Sequence, residues 1–142
     1  MLSVIGLSDA VHTEFASFQK GKVRALTFKM DVNSKSKMQI DLDQSLEAET
    51  STHADIAALF PADDCRFAFF NLDYMEGLGK RSKAIFVLWV PSEAKVKAKM
   101  IYASCAVPLK TKLGITCLSA QGGDVSMLDY DELVEKCRKH FD

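Results

Sequence analysis

Two stretches, residues 65–72 (C-R-F-A-F-F-N-L) and 84–90 (A-I-F-V-L-W-V), are nearly continuous apolar runs rich in aromatic and β-branched residues. Runs of this length that are apolar in both registers of a strand are buried on both faces, as central strands of a covered sheet are. A sheet with two buried faces needs a layer on each side, so the expected fold class is α/β, a central mixed β-sheet sandwiched by α-helices. The 142 residues, 48% apolar and 26% charged, suffice for one such domain over 1–142, burying about two thirds of its unfolded surface. The longest apolar run, 84–91, falls far short of the roughly 20 residues that span a bilayer. The opening M-L-S-V-I-G-L lacks a basic leader and meets Asp9 at once, a poor secretory signal, so the expected location is cytoplasmic.

The remaining elements follow from periodicity and punctuation. Ser8 caps a first helix with Val11, Phe15 and Phe18 inward, stopped by Gly21. Strands over 23–32 and 38–46 form a hairpin around a polar turn, and Thr52 caps a short helix ending before Pro61. Residues 73–83 read as a polar turn projecting from the sheet edge, with Gly77 and Gly79 before the basic cluster Lys80, Arg81 and Lys83. Ser92 caps a longer helix from Glu93, with Val96, Met100, Ala103 and Val107 as its buried stripe and Tyr102 on another face. From 93 to 107 it spans roughly 22 Å, and Pro108 is expected to kink or end it. A short strand over 115–119 and a last helix follow, with Asp129 and Glu132 at capping-box spacing and Leu133, Val134 and Cys137 inward.

Charge is uneven along the chain. The 18 basic and 19 acidic residues leave a formal charge of −1, which argues against a generalised nucleic-acid binder. Residues 41–79 nevertheless carry a net −8, and residues 80–112 a net +7, a dipolar pattern that steers a patterned anionic partner.

Chemistry is sparsely represented. Cys65, Cys105, Cys117 and Cys137 lack metal-ligand or disulfide spacing and read as reduced core residues, so neither a metal nor a cofactor is expected. His12, His53 and His140 lie apart on predicted surface helices, and no phosphate-cradling glycine loop is present. The acid pairs Asp41/Asp43 and Asp63/Asp64 read as solvent-face and turn residues. The function expected is binding, not catalysis.

The binding class is suggested by specific residues. G-K-R-S-K at 79–83, a strand ending L-W-V-P at 88–91, and V-K-A-K-M-I-Y-A-S at 96–104 resemble the actin-depolymerising factor/cofilin family. The opening at 1–9 and D-C-R-F-A at 64–68 are similar to the same family in order and spacing, over essentially the whole chain.

That resemblance implies a monomeric protein that binds actin monomers and filament sides, prefers ADP-actin, and promotes depolymerisation and severing. It implies a surface shared by monomer and filament binding at Ser3, Val4, Ile5 and Gly6 and, on the long helix, Lys97, Lys99, Met100, Ala103 and Ser104. A filament-only surface would comprise Lys80, Arg81 and Lys83 with Glu135, Lys136 and Lys139. Ser3 is the implied regulatory phosphorylation site, where a phosphate adds about −1.5 to −2 charges, and phosphoinositides are implied ligands of the basic residues of 80–112. The chain departs from the family in having Val4 for a glycine, Ala106-Val107 then Pro108 after Y-A-S, and a short 73–79 segment. The alternative is a coactosin-like or glia maturation factor-like protein that binds filaments or the branching complex without depolymerising actin.

Overall fold

The computed structural model describes residues 5–33 and 38–140. In chain order the elements are β1 (Ile5–Leu7), α1 (Asp9–Gln19), β2 (Val23–Met30), β3 (Met38–Glu47), β4 (Arg66–Glu76), β5 (Gly79–Trp89), α2 (Val96–Leu113), β6 (Leu118–Gly122) and α3 (Tyr130–His140), with 3-10 turns at His53–Asp55, Ala57–Leu59 and Val125–Leu128. The strands form one mixed sheet ordered β1-β3-β2-β4-β5-β6, parallel at its two edge pairs and antiparallel within. A parallel pair needs a crossover, and α2 supplies the one between β5 and β6.

The apolar runs are central, as the sequence predicts. Residues of β4 and β5 alternate between two cores: Phe67, Phe69, Phe86 and Leu88 face α1 and α2, while Ala68, Phe70, Leu72, Ile85, Val87 and Trp89 face α3 and the 3-10 turns. On the first side, Phe15 meets Phe69 edge-on at 5.2 Å and Phe67 lies 4.8 Å from Tyr102, separations at which aromatic pairs add to simple burial. Ser8 caps α1, its hydroxyl accepting from Val11 N–H, and Val11, Phe15 and Phe18 are buried as expected. Asp129 likewise accepts from Glu132 N–H at 3.1 Å, and Leu133, Val134 and Cys137 are buried.

Four expectations about the elements are corrected. Residues 73–83 are not a loose turn, because β4 and β5 stay paired out to Glu76 opposite Gly79, leaving only Gly77 and Leu78 to reverse the chain. Gly77 takes the left-handed conformation (φ 61°) that a two-residue hairpin turn requires. The helix expected from Thr52 is instead two short 3-10 turns, begun by Asp55 accepting from Thr52 N–H at 2.8 Å. Strand β6 starts at Leu118, not at 115.

The fourth and largest correction concerns α2. It begins at Val96, since the Pro91 carbonyl accepts from Ala94 N–H and makes a turn where Ser92 was expected to cap. It runs through Pro108 to Leu113 and ends at Gly114 in the left-handed conformation. Pro108 costs a backbone bond, but Cys105 and Leu109 on either side are fully buried and hold the helix in place. The helix is also turned about its axis relative to expectation: Val96, Met100 and Val107 are 70%, 66% and 66% exposed, while Ala98, Tyr102, Cys105, Ala106 and Leu109 face the sheet.

Candidate functional site

The rotation of α2 is set by what each face can satisfy. Tyr102 is buried, and its hydroxyl accepts from Met30 N–H at 2.9 Å, pinning α2 to β2. Burial pushes the Tyr102 phenol up to about 12, although its hydrogen bond with the Met30 backbone pulls the other way. Ala98, Cys105 and Ala106 are small enough to let the helix backbone approach the sheet. The outward face then carries an apolar stripe of Val96, Met100, Ala103 and Val107 with Ser104 beside it, about 16 Å long at the helical rise.

Cations border the N-terminal half of this stripe. Lys97 Nζ donates to Asn33 Oδ1 at 3.3 Å, and Lys99 Nζ donates to the Ser92 carbonyl at 3.1 Å. Both contacts are at the surface, so the charges stay available to solvent or to a partner. Strand β1 lies against α2. Ile5, expected on the contact surface, is fully buried, because parallel pairing of β1 with β3 turns its side chain into the core. Gly6 is half-buried, and Ser3 and Val4 lie outside the described residues.

A second polar surface is built by the β4–β5 hairpin and α3. Lys80 and Arg81 are exposed and Lys83 is half-buried, all three on a paired strand. Arg81 sits 3.7 Å from Glu76 across the hairpin. On α3, Glu135, Lys136 and Lys139 are exposed, with Glu135 3.8 Å from Arg138. Arg138 Nη2 donates to the Met75 carbonyl at 2.7 Å and the guanidinium lies 5.9 Å over the Tyr74 ring, while Tyr130 donates to the Asp73 carbonyl. Arg138 and Tyr130 thus lock the hairpin to α3, a role sequence reasoning missed because the partners lie 63 and 57 residues away.

The acidic and basic runs meet at one notch. Lys95 lines a notch of about 370 Å³ with Asp31, Asp63 and Asp64, and Arg24 reaches Asp73 at 3.5 Å. Asp43, read as a solvent-face residue, is instead part of a partly buried network. It accepts from Thr27 Oγ1 at 3.0 Å and Arg66 Nε at 2.9 Å, and Arg66 Nη1 also donates to Asp64 at 2.8 Å. Burial opposes the Asp43 charge, but the hydrogen bonds and charge of Arg66, with help from Thr27 and Lys29, outweigh it and hold the carboxyl below its ordinary value. His53 is likewise structural, its Nε2 2.7 Å from the Leu128 carbonyl and its ring edge-on to Phe70 and Tyr130.

All four cysteines are free thiols, pushed up by burial, and among the described residues no group of three or more metal-ligating side chains converges. No described helix is long and apolar enough to cross a membrane. What the arrangement is equipped to do is dock a macromolecule: a rigid helix offers an apolar stripe with cations at one end, and a braced hairpin offers a separate polar surface.

Comparison with known proteins gives this class its family. Residues 4–138 match the family described as cofilin/tropomyosin-type actin-binding protein. The chain is 33% identical to actin-depolymerizing factor 3 of Zea mays over 138 residues, covering 96% of each protein. The fold is similar to that of a cofilin from Streptomyces griseoflavus (TM-score 0.80, 29% identity, 95% of this chain and 98% of that one). It is also similar to coactosin from Entamoeba histolytica (TM-score 0.77, 16% identity, 96% of each chain), a likeness of fold alone. The chain belongs to the cofilin/actin-depolymerizing factor family of actin-binding proteins, whose members are not classical enzymes, and it has that family's α/β fold.

Proposed function

We propose that this protein binds actin monomers and filament sides, prefers ADP-actin, and promotes depolymerisation and severing. The observation that carries this reading is the exposed stripe of Val96, Met100, Ala103 and Val107 on α2, with Lys97 and Lys99 at its N-terminal half. An exposed, preformed helix face that combines apolar and cationic side chains suits a groove between two lobes of a partner, because it docks without paying to order the helix. Gly6, Ser104 and the N-terminal Ser3 and Val4 complete this shared surface in the proposal.

Lys80, Arg81 and Lys83, with Glu135, Lys136 and Lys139, would meet a second actin subunit in the filament. The bracing of the hairpin by Arg138 and Tyr130 supports that use, since two rigidly related surfaces favour only the subunit arrangement that fits both. Severing then follows at boundaries between decorated and bare filament. Phosphorylation of Ser3 would weaken the shared surface, and phosphoinositides would compete for the basic residues of 80–112. The protein acts as a monomer, through one domain, on the cytoplasmic actin cytoskeleton.

High-speed pelleting with ADP-actin filaments tests the reading. Co-pelleting together with a shift of actin into the supernatant is the expected result. Co-pelleting without the shift marks a coactosin-like side-binder, and the absence of any binding to monomer or filament refutes the function.

A further inference from the structure

The apolar stripe of α2 contains one polar feature that no side chain supplies. Between Lys99 and Lys110 the outward residues Met100, Ala103, Ser104 and Val107 are all uncharged. The only hydroxyl among them, on Ser104, already donates to the Met100 carbonyl at 2.7 Å. Four residues after Ser104 stands Pro108, inside the helix, and proline has no N–H to give to the carbonyl one turn back. The Ser104 carbonyl therefore lacks its ordinary helical donor next to Ala103 and Val107, on the part of the helix turned to solvent.

We propose that Pro108 serves binding: it leaves the Ser104 main-chain carbonyl open as an acceptor on the docking stripe, where it takes a hydrogen bond from a donor side chain of an actin monomer. The inference rests on the proposed function of α2 and adds a specificity element to that surface. In water the open carbonyl is solvated and costs little. Once Met100, Ala103 and Val107 exclude water against the partner, the same carbonyl must be paired, and a partner that presents an N–H or O–H there is selected over one that presents only apolar groups. A helix-breaking residue held within a packed helix fits a local rule broken at a functional position.

The experiment compares wild type with Pro108→Ala in thermal unfolding and in affinity for ADP-actin monomers, and reads amide hydrogen exchange at residue 108 in the variant, where alone an amide exists at that position. Alanine restores an N–H that closes onto the Ser104 carbonyl, so the expected variant is more thermostable, protected from exchange at 108, and about tenfold weaker in binding, the worth of one interfacial hydrogen bond. Affinity equal to or tighter than wild type, with the 108 amide protected, overturns the inference while leaving α2 as the docking helix. Weakened binding with an unprotected 108 amide also overturns it, because the loss then has another cause. Failure of the wild type to bind monomers is distinguishable from both and removes the underlying reading as well.

Discussion

Helices α1 and α2 pack on the same face of the sheet but distribute their apolar residues differently. In α1 a single stripe, Val11, Phe15 and Phe18, is buried, and the opposite side carries Thr13, Ala16 and Ser17. In α2 two stripes share one spacing: Val96, Met100, Ala103 and Val107 at i, i+4, i+7 and i+11, and Ala98, Tyr102, Cys105 and Leu109 at the same intervals two residues later. Two residues are about 200° of helix, so these stripes lie on nearly opposite sides. One stripe gives periodicity a unique answer; two give it a choice. The flanks decide. Lys97, Ser104, Lys110 and Thr111 border the outward stripe, whereas Ile101, Ala106 and Leu113, with Lys112, border the inward one, so turning the outward stripe to the sheet would press more polar side chains toward the core.

If the comparison is correct, the largest effects fall on the inward stripes of both helices. Phe15→Ala in α1 and Leu109→Ala in α2 are each expected to destabilise by about 3–4 kcal/mol, measured by denaturant unfolding. An effect at Leu109 below about 1 kcal/mol would mean that α2 does not face the sheet in this way. Next is Tyr102→Phe, which strands the buried Met30 N–H and should cost about 2 kcal/mol. It also carries a pH signature. The Tyr102 phenol is raised in the folded state from 10.0 to about 12, so its contribution is complete below pH 10 and is lost as pH rises toward 12. Wild-type stability should therefore fall relative to Tyr102→Phe over that interval.

The outward stripe should behave in the opposite manner. Charge reversal of Lys97 and Lys99 together is expected to abolish actin binding with the circular dichroism spectrum unchanged, and undiminished binding by the folded double variant would sink this surface. The smallest effect on stability is expected for Met100→Ser and Val107→Ser, within about 0.5 kcal/mol of wild type because both side chains are already in solvent. Their pelleting with actin should nevertheless weaken. A stability loss comparable to that of Leu109→Ala would erase the distinction between the two faces of α2.

Away from this helix, Arg66 offers a separate check. Arg66→Met leaves the Asp43 carboxylate without its cation and should cost about 3 kcal/mol at neutral pH. The Asp43 carboxyl is held below its ordinary value, so its stabilising contribution is present above the unfolded-state value and is lost as pH falls through the folded one. The gap between wild type and variant should narrow in acid.

Several features were readable in the chain because they depend on neighbours in sequence. The two central strands, the Ser8 and Asp129 caps, the α1 stripe and the family resemblance all rest on contiguous residues or fixed short spacings, and the structure has each of them. The hairpin at 73–83 is not legible from neighbours in sequence, because its polar residues hide a strand whose pairing partner lies on the other side of the turn. The core position of Ile5 depended on β3, more than thirty residues away.

The sequence by itself determined that this protein has a covered mixed sheet and a long helix with apolar residues on two sides, since periodicity and burial of continuous runs are local properties. Only the tertiary structure decided which side of α2 faces outward, where Arg138 and Tyr130 brace the hairpin, and that Asp43 is a paired core-edge charge. Each of those choices turns on whether a polar group finds a partner distant in sequence, and that is settled only when the elements pack.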